Sequence, residues 1–356
     1  MMILLSMLFS SYFFGYLSDV YSSPNTNSLS KKRNNLLFIA LSFVIVTTVA
    51  AFRQSFVDTG TYRKIFVEIG TDWNLVQEQK DFGFGVLMVL LNYVSNHPQT
   101  IIIATSILIN ILVFRTLYKY CARIELGIFL FITTGCFALS MNGIRQFIAA
   151  AIIFCAIKLV IEGKWKLYFF VVLLAATFHG SAIIMIPVYF IIRRKAWSWS
   201  TFILTVCSIL GYLSFNLLIP FISNVMAGTQ YENNLNYLAE KDSGVNIIRI
   251  FVHAVPVILA FWKRKRLQEV WNKSDIFVNL SVLNLIIMVF SYYSWIISRI
   301  AFYFQIFNIL LIPLIIIFCF DKKTSLFLYY SCFVLYTGYF YYEMVYMFKI
   351  DFKLIF

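Results

Sequence analysis

The stretch LGIFLFITTGCFALS–MNGIRQ–FIAAAIIFCAIKLVI runs from Leu126 to Ile161, and its reading decides the fold. Two apolar runs, Leu126–Ser140 and Phe147–Ile161, are joined by Met141-Asn142-Gly143-Ile144-Arg145-Gln146. At 1.5 Å rise per residue, a run of this length reaches ~22 Å, against ~30 Å of bilayer hydrocarbon. Basic residues flank the pair at both ends: Arg115, Lys119 and Arg123 before it, Lys164 and Lys166 after it. Lys and Arg mark the cytoplasmic side of a membrane protein. The chain therefore leaves the cytoplasm, turns near Arg145 and returns. The next run, Leu167–Ile192, repeats the pattern, interrupted by His179-Gly180-Ser181 and closed by Arg193-Arg194-Lys195. It reads as a hairpin of two half-length helices turning near His179. Irregular backbone at membrane depth is tolerated only inside protein or along a wet cavity. Arg145 and His179 are thus expected to face one common, outward-open cavity.

Further out, the same alternation covers the chain. Other apolar runs are Met2–Leu17, Asn35–Phe52, Thr100–Phe114, Ser200–Ile222, Val245–Trp262, Ile276–Ile296, Ile300–Phe320 and Thr324–Tyr342. Phe84–Val94 is too short to cross, and a crossing would place Arg115–Arg123 outside, so it reads as interfacial or re-entrant. The 356 residues are 61% hydrophobic and 13% charged, with a mean hydropathy of +0.82. Soluble domains average about 45–50% apolar and about 25% charged. A soluble enzyme, a disordered chain and a nucleic-acid-binding domain are excluded. At ~20 residues per span the apolar content allows roughly ten or eleven crossings. The expected fold is an all-α polytopic integral membrane protein, one transmembrane domain over 1–356. It has about 11–12 transmembrane helices once half-length hairpins are counted. Outer loops 53–83 and 223–244 are expected to be partly structured.

The net charge of +13 follows the same topology. Placing the Lys31–Arg33, Arg115–Arg123, Lys164–Lys166, Arg193–Lys195, Lys263–Arg266 and Lys322–Lys323 clusters in the cytoplasm puts 19 of the 29 Lys and Arg there, with 6 of the 16 acidic residues. The whole excess then lies inside, and the N-terminus lies outside. Met1–Leu17 lacks a basic n-region and a small-x-small cleavage site, so it reads as a retained span. The six cysteines have no C-x-x-C spacing and mostly sit in apolar runs as small hydrophobes. The three histidines are far apart, and no Cys/His ligand cluster, Walker loop or G-x-G-x-x-G occurs. No metal site or cofactor is expected. With no sizeable cytosolic domain, a substrate is expected from the membrane or the outer side. No internal repeat and no inverted pair of interrupted helices is visible, which weighs against a transporter.

Several residues carry candidate chemistry. A cation between two apolar runs is costly and points to function, and the guanidinium fork of Arg145 suits a phosphate; a snorkelling helix end is its bland alternative. Arg299 lies between Ile276–Ile296 and Ile300–Phe320 in the same kind of position. His179 is either an acid/base group or a structural hydrogen-bonding one. In the outer loop, Arg53-Gln-Ser-Phe-Val-Asp58-Thr59-Gly-Thr-Tyr62-Arg63 places a carboxylate near Arg and Tyr, where it can take a proton from a hydroxyl or simply pair in solvent. Arg249 and His253 share a helix face by i, i+4 spacing, which a satisfied polar pair at a Pro256 kink also explains. His97 adjoins Pro98 in a loop and receives no role.

These residues resemble a known family. Arg53-x4-Asp58-Thr59-x2-Tyr62, Asp81-Phe-Gly83-Phe84, Asn142-Gly-Ile-Arg145-Gln146-x2-Ala149 and Phe178-His179-Gly-Ser181-Ala182 ending at Pro187 follow in this order. The series, from Arg53 to Pro187, is similar to the EpsG family of bacterial polysaccharide polymerases, related in role to the Wzy polymerases of O-antigen and capsule. Arg299-Ile-Ala-Phe-Tyr303-Phe304 resembles a later family feature. At position 81 the family more usually carries Glu, which leaves Asp81 without an assigned role.

The resemblance implies a GT-C-like helical bundle in the bacterial plasma membrane. It implies transfer of an undecaprenyl-pyrophosphate-linked glycan onto the next lipid-linked repeat at the outer face. Arg53, Tyr62, Arg145, Gln146 and Arg299 are then expected to bind pyrophosphate or glycan. Asp58 is the first choice for proton acceptor and His179 its competitor. Expected partners are the bilayer, the lipid-linked oligosaccharides, chain-length regulator and flippase proteins, and no nucleic acid. Two readings compete: a flippase or transporter of polyprenyl-linked glycans, and a membrane acyltransferase, which needs a His deep on the cytoplasmic side.

Overall fold

A computed structural model describes residues 1–24, 32–215 and 244–355, and within them the chain is an all-α polytopic membrane protein. The first helix α1 (Met2–Val20) leads through a short antiparallel pair, β1 (Ser23–Pro24) with β2 (Lys32–Arg33), into α2 (Leu36–Ala51). Three short helices follow, α3 (Thr59–Ile69), α4 (Asn74–Glu78) and α5 (Phe82–Asn92), and then the long α6 (Gln99–Tyr120). The decisive stretch forms α7 (Ile124–Thr133), α8 (Cys136–Asn142), α9 (Ile144–Cys155) and α10 (Ile157–Glu162). Next come α11 (Trp165–Phe178), a 3₁₀ turn over Gly180–Ile184, α12 (Met185–Ile192) and α13 (Trp199–Leu213). The remainder is α14 (Ile247–Trp262), α15 (Arg264–Val270), α16 (Ser274–Phe290), α17 (Trp295–Ser298), α18 (Phe302–Gln305), α19 (Asn308–Phe318), α20 (Lys322–Tyr341) and a π-helical turn Tyr342–Met347.

The ends of the longer helices follow from their caps. Asn35 and Asn246 accept the N–H groups of Leu37 and Ile248, and Asp321 accepts those of Lys323 and Thr324. Each satisfies donors that a helix leaves unpaired at its start. At Gly135 the backbone turns left-handed, φ +86°, and α7 and α8 bend by 53° there. All ten residues of α7 are buried, with α1, α6, α19 and α20 packed around it.

The expected all-α architecture, with half-length helices and hairpins counted among its membrane elements, is what the described residues show. Among the described residues, α1 and α6 alone are long and apolar enough to cross singly, and two bent pairs, α7 with α8 and Trp295–Gln305 with α19, add up to two more. The other apolar helices have 10–17 residues. Many of these helices are short because runs are broken: Gly135 and Ala156 interrupt runs that hydropathy reads as continuous, and Gly143 and His179 stand at joints the sequence already marks. The hairpin at His179 is there. Tyr168 of α11 meets Tyr189 of α12 with ring centroids 5.3 Å apart, and Phe169 meets Phe190 at 5.9 Å, so the two helices run back to back. Loop 53–83 contains α3 and α4, whereas loop 223–244 lies outside the described residues apart from Gly244.

Candidate functional site

Four helix ends meet at one point. Asp81 precedes α5, Arg145 stands in the first turn of α9, His179 ends α11, and Tyr62 lies one turn into α3. Asp81 is 4% exposed, yet both its oxygens are engaged. Oδ2 lies 2.9 Å from Arg145 Nη1 and 3.3 Å from His179 Nδ1, while Oδ1 accepts the Gly180 N–H at 3.4 Å. The Arg145 and His179 side chains remain 32% and 20% exposed, so the carboxylate is covered and its two partners face out. Burial raises the Tyr62 phenol above its usual titration range; its hydroxyl interacts electrostatically with Arg145 and with Asp58, and its ring packs edge-on against Phe84, centroids 5.7 Å apart.

Glycine makes this convergence possible. A Cβ at Gly83 would stand 2.3 Å from Thr177 Oγ1 and 3.0 Å from the Thr177 carbonyl carbon. Only a bare Cα lets α5 approach α11 closely enough to set Asp81 beside His179. At Gly143 a Cβ would lie 3.1 Å from the Phe302 ring, which fixes the start of α9 against α18. Ser181 and Tyr303 hydroxyls are 2.9 Å apart, tying the 3₁₀ turn to that same short helix.

The other expected site residues divide. Gln146 is buried and donates to the Arg299 carbonyl at 2.8 Å, coupling the two arginine-bearing segments. Arg299 is half-buried, its guanidinium 5.0 Å from the Trp295 ring. Asp58 is half-exposed ahead of α3; its side chain does not cap the helix, and its influence reaches the cluster through Tyr62. Arg53 is 1% exposed, and its guanidinium is committed to Thr59 Oγ1 at 3.0 Å, Ser106 Oγ and the Met141 carbonyl at 3.3 Å, and the Ala50 carbonyl. It joins α2, α3, α6 and α8 from within. These partners give Arg53 a part in holding the four helices together, beside the binding role expected from the sequence.

Two partnerships escape sequence reasoning. Asp81 sits 64 positions before Arg145 and 98 before His179, and the sequence marked it only through the family-like Asp81-Phe-Gly83-Phe84 run. Arg249 is paired in fork geometry with Glu343, at 2.7 and 3.0 Å, and His253 Nδ1 lies 2.8 Å from Asn284 Nδ2. That satisfied pair closes an interior polar cavity of about 30 Å³ between α8, α14, α18 and the π-turn. Among the described residues no group of three or more His, Cys, Asp or Glu has the arrangement of a metal site.

Over residues 36–354 the chain matches the sequence profile of the EpsG family. It belongs to the EpsG family. The match takes in every candidate residue above and carries the family's polysaccharide polymerase-type function, that of a glycosyltransferase-like membrane enzyme. No curated protein and no solved structure is detectably similar to it.

Chemically, the cluster of this EpsG-family chain resembles a proton-transfer relay next to an anion site. Nδ1–H of His179 donating to Asp81 fixes the tautomer that leaves Nε2 as an acceptor. Arg145 retains N–H donors beyond the one given to Asp81, and a guanidinium has five in a planar fork.

Proposed function

We propose that this protein polymerises lipid-linked oligosaccharide repeats at the outer face of the bacterial plasma membrane, with its N-terminus outside. The donor is a growing glycan on undecaprenyl pyrophosphate, and the acceptor is the non-reducing end of the next lipid-linked repeat. The acceptor hydroxyl oxygen attacks the donor's anomeric carbon, that carbon's bond to the pyrophosphate oxygen breaks, and undecaprenyl pyrophosphate leaves. His179 Nε2 takes the hydroxyl proton. Arg145 and Arg299 face the charge that grows on the departing diphosphate, the kind of preorganised stabilisation that dominates many transfer reactions.

The observation that carries this reading is the shared Asp81 carboxylate, which holds a candidate base and a candidate phosphate ligand side by side, both partly exposed. It favours His179 over Asp58 as acceptor, because His179 is oriented by a buried anion, whereas Asp58 is half-exposed and acts on Tyr62 through its charge. A lysine-free, fixed fork at Arg145 fits a diphosphate better than a point charge does.

The test is the ladder of lipid-linked glycans from cells lacking the protein. Single lipid-linked repeats on the outer face of the membrane are expected. Their accumulation on the inner face would identify a flippase instead, and an unchanged ladder lacking only a glycan substituent would identify a modifying transferase.

A further inference from the structure

Helices α14 and α20 stand apart on a common floor of α19 and enclose an apolar groove of about 510 Å³. Ile248, Val255 and Leu259 line one wall, Leu328 and Leu335 the other, and Ile312 lies at the bottom. The lining residues recur at helical spacing on both walls, so each helix turns a full apolar stripe toward the gap. From Ile248 to Leu259 the groove runs about 17 Å along the helix, more than half of a ~30 Å hydrocarbon core. One wall is smooth: a Cβ at Gly338 would find nothing within 4 Å. A ligand pocket of this size falls within the usual ~300–1,000 Å³.

The groove abuts a small interior cavity. Tyr339 lines both the groove and that cavity, which reaches Asn142 and Ser298, three positions and one before Arg145 and Arg299 in the chain. One buried side chain thus separates the groove from a cavity bordered by the two arginine-bearing segments. We infer that this groove holds the polyisoprenoid tail of the lipid-linked substrate and thereby sets its diphosphate beside Arg145 and Arg299. The inference rests on the polymerase reading for the identity of the substrate. A bulk phospholipid offers the two arginines one phosphodiester charge where the lipid-linked substrate offers a diphosphate.

The experiment uses the full chain in vesicles of phosphatidylethanolamine and phosphatidylglycerol, with an undecaprenyl diphosphate carrying a diazirine on its tail. Photolabel is expected on α14 and α20 peptides, displaced by unlabelled undecaprenyl diphosphate and not by added phosphatidylglycerol. Gly338→Phe projects a ring from a position where a Cβ meets nothing within 4 Å, and Leu335→Trp enlarges an exposed wall residue. Each is expected to cut labelling about tenfold, the loss of roughly 1.4 kcal/mol of binding, at unchanged thermal stability. Label elsewhere, equal labelling by a diazirine phosphatidylglycerol, or full labelling of both filled variants overturns the inference. The same variants distinguish it from the polymerase reading. Normal polymer from both refutes the groove alone, whereas groove labelling by a wild-type protein that forms no polymer from lipid-linked repeats refutes the polymerase alone.

Discussion

Replacing Asp81 with Asn tests the cluster most directly, because the two side chains are nearly the same size and only the charge and two acceptor positions change. In the wild type one oxygen serves both Arg145, at 2.9 Å, and His179, at 3.3 Å, and the other accepts from Gly180. An asparagine oxygen can take only one of the two positions. In one it keeps Arg145 and His179 through a neutral acceptor and turns its amide on the Gly180 N–H; in the other its amide faces the guanidinium and the imidazole N–H, donor against donor. Hydrogen bonds to charged groups are worth about 1.5–3 kcal/mol each. Losing one in the transition state, together with the wrong His179 tautomer, predicts a fall in polymerisation rate of roughly 10²–10³, with about 1.4 kcal/mol per tenfold. Asp81→Glu restores the charge one methylene further out and is expected to recover most of the loss. The assay is single-turnover chain extension in membranes from a deletion strain, with polymer length read on gels and protein abundance checked by immunoblot. A merely structural role would lower abundance and leave the rate per molecule unchanged. Wild-type rate per molecule in Asp81→Asn would refute the reasoning, since neither the base nor the arginine would then depend on the buried carboxylate.

Three further outcomes are expected. Arg145→Lys keeps a charge and loses the fork, so extension should fall well below wild type at normal abundance, and Arg145→Ala should be worse; wild-type polymer from Arg145→Ala would reduce this residue to a headgroup anchor. Arg53→Ala leaves the buried Met141 and Ala50 carbonyls and the Ser106 hydroxyl short of a donor, so membrane abundance rather than rate per molecule should drop, and Arg53→Lys should not restore it, as measured by immunoblot and detergent thermal melts. A cysteine at the exposed Thr61 should react in intact cells with an impermeant thiol reagent and one at Lys265 should not, and the reverse pattern would place the site on the inner face.

The membrane class and the hairpin at His179 were legible in the sequence because hydropathy and charge report them locally. Tyr168 against Tyr189 is what a run with basic clusters at both ends requires. The broken helices were half legible. Gly135 and Gly143 are visible as residues, but a left-handed φ at one of them is set by packing. Least legible were the partners. Arg53 and Arg145 look alike in sequence, each an arginine at the edge of an apolar run. Burial separates them, 1% against a 32% exposed side chain, and burial is a property of four helices at once. Asp81 was marked by the family-like Asp81-Phe-Gly83-Phe84 run but received no role, since its partners come from α9 and α11.

The site's placement at helix ends has its own logic. A helix break inside a membrane leaves backbone donors that water cannot satisfy, and each must find a partner in the protein. Where α11 stops at His179, the Gly180 N–H is such a donor, and Asp81 accepts it. The carboxylate that satisfies the break is thus the one that holds the imidazole and the guanidinium. Substituting Gly83 with Ala tests this coupling without touching a polar group. The added methyl meets Thr177 backbone at 3.0 Å and its hydroxyl at 2.3 Å, so α5 must retreat or the turn must open. Overpacking of this kind costs about 1–3 kcal/mol. A retreat of α5 would lengthen the contacts of Asp81 to His179, Arg145 and the Gly180 N–H together. Chain extension should then fall as in Asp81→Asn, and hydrogen exchange at the Gly180 amide should rise in the same variant. If extension falls while Gly180 stays protected, the carboxylate is not what joins the break to the site.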